Sequence, residues 1–381
     1  MTETLAIERS HPKRGEPRRK TVPKSVTELV TTSVPEPVTE SVTKSAIKSV
    51  TVVGAGITGL WAALTLARRG HGVTLIEAAA EPFALAASRY AGAMLAPYCE
   101  AEGAEPVVQE LGLRSLDIWR QTFPGVIGQG TLVLAQARDR AELSRFAQMT
   151  QGHALVDGAQ IGALEPDLAD RFAGGLYFAN EAHMAPWPAL HFLLEQVRAA
   201  GATVSLGQTW TKAALQRSGK QRAADFVVDC RGLAARGDQP QLRGVRGERA
   251  IIKSHDLRLR RPVRLLHPRF PLYVVPWGDG TYMVGATVIE SEAAGPVSVR
   301  SALELLGMAY ALHPAFGEAE IVELAAGVRP AYPDNVPRIA VDGRHICVNG
   351  LYRHGFLMAP ALGRLIADFI ETGRVHDRIF C

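Results

Sequence analysis

The stretch Ser49 to Glu77, SVTVVGAGITGLWAALTLARRGHGVTLIE, constrains the fold more than any other. Its β-branched run, Val50 to Val53, reads as a buried parallel strand. The strand ends in Gly54-Ala55-Gly56-Ile57-Thr58-Gly59, after which Leu60, Ala63, Leu64 and Ala67 recur at helical spacing. A second strand, Val73 to Ile76, closes on Glu77, followed by Ala78. Gly54 permits the tight turn, Gly56 admits a pyrophosphate close to the backbone, and Gly59 lets the helix pack on the strand. The helix N-terminus offers free N–H groups to the phosphates, and a carboxylate eighteen residues past Gly59 can accept hydrogen bonds from a ribose. The ordered set of strand, glycine turn, helix, strand and acid implies dinucleotide binding.

The chain's 381 residues allow two domains, and 47% hydrophobic with 21% charged residues suits a soluble enzyme. A formal net charge of +4, partly from the N-terminal tail, gives no reason to expect a nucleic-acid surface. Four cysteines (Cys99, Cys230, Cys347, Cys381) show no paired metal spacing and read as reduced thiols of a cytoplasmic protein. No uncharged run reaches the length of a membrane span, and no metal site is expected. Residues 1–48, rich in Ser, Thr, Val, Pro and Lys, read as a disordered tail. Interspersed glutamates argue against a targeting peptide despite Arg18-Arg19-Lys20.

Helices are expected at Glu110–Thr122, Asp139–Thr150, Trp187–Gly201, Val299–Leu312 and from about Ala359 to Glu371. Thr203–Leu206 reads as a third parallel strand, and Ala224–Gly232 as a strand returning to the same sheet before a glycine turn. Gly130–Ala137 and Gly175–Phe178 are further strand candidates. The middle of the chain changes character: Val245–Ser254, Val263–Leu266, Leu272–Pro276 and Tyr282–Val288 form a mostly antiparallel block, with Asp279-Gly280 at a hairpin turn. Glu320–Ala326 leads to Val328-Arg329-Pro330, and Arg338–Val341 with His345–Asn349 make adjacent strands. The expected class is α/β: a Rossmann-like three-layer nucleotide domain with a parallel sheet (49–98, 154–240, 329–374), and a mostly antiparallel α+β substrate domain (99–153, 241–328).

Several residues carry candidate chemistry. The small residues from Ser88-Arg89 through Ala93-Met94 suit close approach of a flat ring, or simply a buried turn. The turn after Asn349-Gly350 leads to a helix expected to begin near Pro360, whose dipole can stabilise developing negative charge; an ordinary crossover is the alternative. Arg329, in an apolar stretch, needs a partner, either a bound carboxylate or a salt bridge to Asp334 or a helix C-terminus. The Tyr273 phenol faces a cleft or packs in the core. His354 is a catalytic group or, more simply, a supporting hydrogen-bonder.

The order of these pieces resembles the FAD-dependent amine and amino-acid oxidases, the family that includes D-amino-acid oxidase, sarcosine oxidase and glycine oxidase, and within it the thiamine-biosynthetic glycine oxidases. The resemblance covers Ser49 to Gly373. It rests on the first glycine turn, Glu77, Ala93–Pro97, Tyr273–Pro276, Gly285–Thr287, Gly327–Pro330 and Asn349–Pro360. It implies FAD as cofactor, contacted by Gly54, Ala55, Gly56, Ile57, Thr58, Gly59, Glu77, Ala78, Ser88, Arg89, Ala93, Met94, Gly232 and Arg353-His354-Gly355-Phe356-Leu357. It gives Arg329 the substrate carboxylate, with Tyr273 and Arg353 orienting the molecule. The implied reaction removes a hydride from the amine-bearing carbon of glycine or another small amino acid, with oxygen as acceptor and hydrogen peroxide as product, feeding thiazole synthesis. D-amino-acid or secondary-amine dehydrogenation and a noncatalytic FAD-binding subunit are the alternatives. Two departures stand out. The family's valine-alanine-x-glycine turn reads Val228-Asp229-Cys230-Arg231-Gly232 here, and no cysteine lies near Gly327, so the FAD is expected to be noncovalent. A homo-oligomer is left open.

Overall fold

In chain order the strands of the first half are β1 (Ser49–Val53), β2 (Gly72–Ile76), β3 (Met94–Leu95), β4 (Thr131–Ala135), β5 (Ala154–Asp157), β6 (Gly174–Phe178), β7 (Ala182–His183) and β8 (Thr203–Ser205). Those of the second half are β9 (Phe226–Asp229), β10 (Arg243–Lys253), β11 (Val263–Leu266), β12 (Leu272–Gly278), β13 (Thr281–Gly285), β14 (Glu320–Ala331), β15 (Arg338–Asp342) and β16 (His345–Asn349). The longer helices are α1 (Ile57–Arg68), α2 (Pro106–Thr122), α3 (Pro186–Ala199), α4 (Val299–Leu312) and α5 (Gly355–Thr372). The computed structural model describes residues 46–213, 224–376 and 378–381. The expected disordered tail lies outside the described residues except for positions 46–48.

β1 has parallel neighbours on both sides, β2 and β9, and its Val50, Val52 and Val53 are buried. The six-stranded sheet runs β15-β16-β9-β1-β2-β8, with β8 parallel to β2, β16 parallel to β9, and only β15 antiparallel. α1 is buried nearly all round, from Ile57 to Leu64, as its apolar composition requires. It packs with α2, α3 and α5 into the larger core.

The second sheet has eight strands in the order β14-β10-β13-β12-β11-β4-β6-β5, antiparallel throughout except for β11 beside β4. Asp279 and Gly280 both take positive φ (52° and 68°), the conformation a two-residue hairpin of this type demands. β5 and β6, in a segment grouped above with the nucleotide-binding part, belong to this sheet because they pair through β6 with β4. Arg329 likewise sits inside β14 and not at the start of a nucleotide-binding segment, since the β10 ladder continues to Ala331. β13 stops at Gly285, short of the expected Val288, and α2 starts at Pro106, one turn before the expected Glu110.

The C-terminal helix differs most from expectation. It begins at Gly355, which places Pro360 inside the helix and not at its first turn. Proline has no N–H to donate to the Phe356 carbonyl four residues back. The indole Nε1–H of Trp119 takes that place at 2.7 Å. Ser115, also on α2, accepts from the next amide, Ala361 N–H, at 3.1 Å. Trp119 is fully buried, stacks on the Phe356 ring and meets Trp61 of α1 edge-on at 4.9 Å. The partner that sustains the helix through its proline therefore comes from 237 positions earlier in the chain.

Trp119→Phe should destabilise the protein by about 1–3 kcal/mol, the cost of a buried carbonyl without a partner. In a Pro360→Ala background, where the helix supplies its own amide, the penalty should shrink by roughly 1 kcal/mol or more, measured by denaturant unfolding in a double-mutant cycle. Additive effects would show that the indole does not serve the proline gap.

Candidate active site

A cavity of about 530 Å³ runs from the first glycine turn to the wall formed by β10 and β14. At its first end, Gly54 takes φ +95°, and a Cβ there would stand 2.6 Å from the Cys230 carbonyl oxygen. A Cβ on Gly59 would overlap the Gly54 carbonyl oxygen at 1.8 Å, so the start of α1 can approach β1 only without one. At Gly56 a Cβ would meet nothing nearer than 3.9 Å, so the backbone is open to the cavity here. No side chain caps α1, which leaves its first-turn amides free of a cap, and Gly56, Ile57 and Thr58 line the cavity. Glu77 accepts hydrogen bonds from the Ala55 (2.7 Å) and Ala79 (3.0 Å) amides, retains acceptor capacity beyond these two bonds, and lines the cavity. These features fit a dinucleotide's pyrophosphate and ribose.

Ala78, Ser88, Ala93, Met94 and Gly232 also line the cavity, as do His354, Gly355, Phe356 and Leu357 at the equally uncapped start of α5. The His354–Leu357 run is thus mostly a first helical turn and not the expected loop. Ala55 and Gly59 sit behind the turn. Arg89 does not line the cavity. Its guanidinium donates to the Ala84 carbonyl and lies over the Tyr90 and Trp187 rings, which draw it aside.

At the other end, Tyr273, Arg329 and Arg353 converge. The Arg329 guanidinium lies over Gly247 of β10, where a Cβ would fall 2.0 Å from Nη2. Its Nη1 donates a hydrogen bond to the Thr287 carbonyl (3.2 Å), and it has no carboxylate partner among the described residues. Asp334, the alternative partner, is engaged by Arg338 at 2.9 Å. Burial pulls the Arg329 guanidinium below its ordinary value, and Arg353 adds to this while Tyr273, Tyr352 and Glu100 oppose it.

Glu100 was not singled out from the sequence. It ends a single helical turn, Pro97–Glu100, just past the Met94 loop, and lines the cavity. Its Oε1 stands 3.3 Å from Arg353 Nη2, and its Oε2 3.4 Å from His354 Nδ1. Burial would raise this carboxyl, but Arg353, His354, Arg264 and Arg329 hold it below its usual value. Glu100 in turn holds Arg353 firmly protonated. Burial pushes the His354 imidazole down to about 4, with Glu100 opposing and the two arginines assisting. His354 is thus neutral near pH 7. Arg353 is compensated and Arg329 is not. The only sequence signal for Glu100 was an acid in a small-residue loop, which has no period to read. Trp210, under the Arg231 guanidinium at 5.0 Å, lines the cavity beyond Glu77 together with Gln208 and Thr209, and it too was not singled out.

A sequence model of the family described as FAD dependent oxidoreductase matches residues 49–369. The chain belongs to this family. Its cofactor is therefore FAD, and the fit of the glycine turn, Glu77 and the two uncapped helix starts is independent of that match. A Rhizobium etli protein provisionally named thiamine biosynthesis oxidoreductase ThiO is 50% identical over 85% of this chain and 96% of its own length. A D-amino-acid oxidase of Rubrobacter xylanophilus is 30% identical over 80% and 89% of the two chains. The crystal structure of glycine oxidase from Geobacillus kaustophilus superposes with a TM-score of 0.71 at 23% identity, covering 85% of this chain and 94% of that one. No described helix is long and apolar enough to cross a membrane.

An imidazole that titrates near 4 in the folded protein and about 6.5 unfolded costs stability as pH falls through that window, by up to about 3 kcal/mol. His183, also near 4, adds the same sign, and Glu181, pushed up to about 7 by burial, gives the opposite one. The His354 share is therefore isolated by difference. His354→Gln should flatten the loss of stability between pH 6.5 and 4 relative to the parent, read from denaturation midpoints across pH. Parallel profiles would mean that His354 is not buried in neutral form.

Proposed function

We propose that the protein is an oxidase of glycine or another small amino acid, acting on the CH–NH2 group and serving the thiazole branch of thiamine synthesis. The overall reaction consumes the amino acid, oxygen and water and yields the oxo acid, ammonia and hydrogen peroxide. The observation that carries this reading is the Arg329 guanidinium. It is held in the cavity wall with no carboxylate partner among the described residues, while neighbouring Arg353 is matched by Glu100. A planar fork left uncompensated beside a cofactor cavity suits a substrate carboxylate in two hydrogen bonds. The 50% identity to the Rhizobium etli protein supports the same assignment.

Bound FAD supplies the two-electron acceptor for the hydride that leaves the amine-bearing carbon. The chain's own residues bind and orient. In this reading Gly54, Gly56, Ile57, Thr58 and Glu77 would hold the pyrophosphate and ribose, with Ala78 beside the ribose and Ser88, Ala93, Met94 and Gly232 flanking the rest of the cofactor. The amides at Gly355–Leu357 favour negative charge on the cofactor's ring edge. Arg329 grips the carboxylate, Tyr273 directs it, and the Arg353–Glu100 pair fixes the far side without adding net charge. Neutral His354 avoids placing a third positive charge there. No strong base is needed if the amine arrives neutral, so positioning carries the rate. The buried unpaired thiols Cys99, Cys230 and Cys347 support a reducing, cytoplasmic setting.

Arg329→Met should raise KM for glycine about 100-fold, the loss of two charge-assisted hydrogen bonds. Oxygen consumption and peroxide release by the holoprotein measure it, and an unchanged KM would move the carboxylate site elsewhere. Acid precipitation should release all the flavin. Cys230 is the only cysteine lining the cavity among the described residues, and burial pushes its thiol well above the ordinary value, away from the reactive thiolate. Flavin remaining on the precipitated protein would contradict this.

A further inference from the structure

The wall that carries Arg329 carries a second arginine. In the β10–β14 ladder Gly247 stands opposite Gly327 and Arg249 opposite Ala325, while Arg249 also pairs with Gly285, which faces Tyr273. Positions 247, 249, 327, 329 and 273 therefore project from one face of the sheet. The two glycines leave that face bare, and Arg329 and the Tyr90 ring lie across it. Arg249 occupies the next position along the same face, about 7 Å from Gly247. It lines the same cavity and is only 2% exposed.

Its hydrogen bonding is incomplete. Nη2 donates to Glu323 at 3.1 Å, and that carboxylate is 40% exposed. Nε and Nη1 are buried with no partner. The rings of Tyr90 and Trp277, each 5.7 Å from the guanidinium carbon, hold the charge by their faces but accept none of its in-plane hydrogen bonds. Burial draws the group below its ordinary value, as expected for a cation short of acceptors. An arginine kept only for Glu323 would have no use for two further buried donors, because buried donors are paired in the great majority of proteins.

We propose that Arg249 forms a second anion subsite, so that the enzyme takes amino acids bearing a second acid group, with Arg329 on the α-carboxylate and Arg249 on the other. The proposal rests on the reading of Arg329 given above. Glu323 holds Arg249 in place from the outer side, and Tyr90 and Trp277 fix its plane.

Titration of the oxidised holoprotein with acetate and with succinate, followed by the flavin absorbance change, tests it without turnover. Succinate should bind at least tenfold more tightly than acetate. Arg249→Met should lower succinate affinity by roughly tenfold or more and collapse the ratio between the two acids. Arg249→Lys, which keeps the charge but loses the fork, should give an intermediate ratio and serves if the methionine variant does not fold. Equal affinities in the parent protein, or an equal loss for both acids in either variant, would overturn the subsite. Arg329→Met reports separately on the first site: an unchanged KM for glycine in that variant defeats the Arg329 reading, whatever the ratio in the Arg249 variants.

Discussion

The rest of the molecule depends on one close approach, that of the start of α1 to the end of β1. With 1.8 Å between the Gly54 carbonyl oxygen and the place a Gly59 Cβ would occupy, no other residue can stand there without moving the helix. That approach sets the uncapped start of α1, Gly56 to Thr58, in the cavity lining. It also brings Ala55 onto the Glu77 carboxylate, which ties the turn to β2. Because α1 is buried nearly all round, its position in turn sets those of α2, α3 and α5. The second helix N-terminus at the cavity, that of α5, is held through Trp119 and Ser115 of α2.

The opposite end of the cavity follows a different logic, that of charge left in or out of balance. Arg353 and Glu100 neutralise one another, and His354 beside them is kept uncharged by burial. Arg329 and Arg249 lie on a strand face stripped by Gly247 and Gly327; Arg329 has no carboxylate partner among the described residues, and two Arg249 donors are buried without a partner. Buried cations persist only with compensation, so a guanidinium without a carboxylate partner, as at Arg329, and one with spare buried donors, as at Arg249, underlie the proposal of an acidic ligand. The two ends thus differ in kind: backbone amides and Glu77 line the one, and arginine side chains the other.

The nucleotide-binding turn was legible in the sequence because every part of it is local: a β-branched run, three glycines, a helical repeat and an acid fall within one βαβ unit. Arg329, Tyr273 and Arg353 were legible through a family resemblance, and the structure brings all three to one cavity. Pro360 misled, since a proline ordinarily marks a helix start, and its missing hydrogen bond is supplied from α2 by contact between segments far apart in sequence. β5 and β6 could not be assigned to a sheet from their own residues, because pairing partners are a property of the ladder and not of the strand.

By itself, then, the sequence determined that this chain makes a parallel nucleotide-binding unit and an antiparallel block, since local spacing of glycines and apolar residues decides both. Only the tertiary structure decided which charges are balanced. Glu100 meets Arg353 across a separation of 253 positions, and Arg249 comes to share a face with Arg329 through the pairing of β10 with β14. Charge compensation acts through space at a few ångströms, and no pattern along the chain records which groups will meet at that distance.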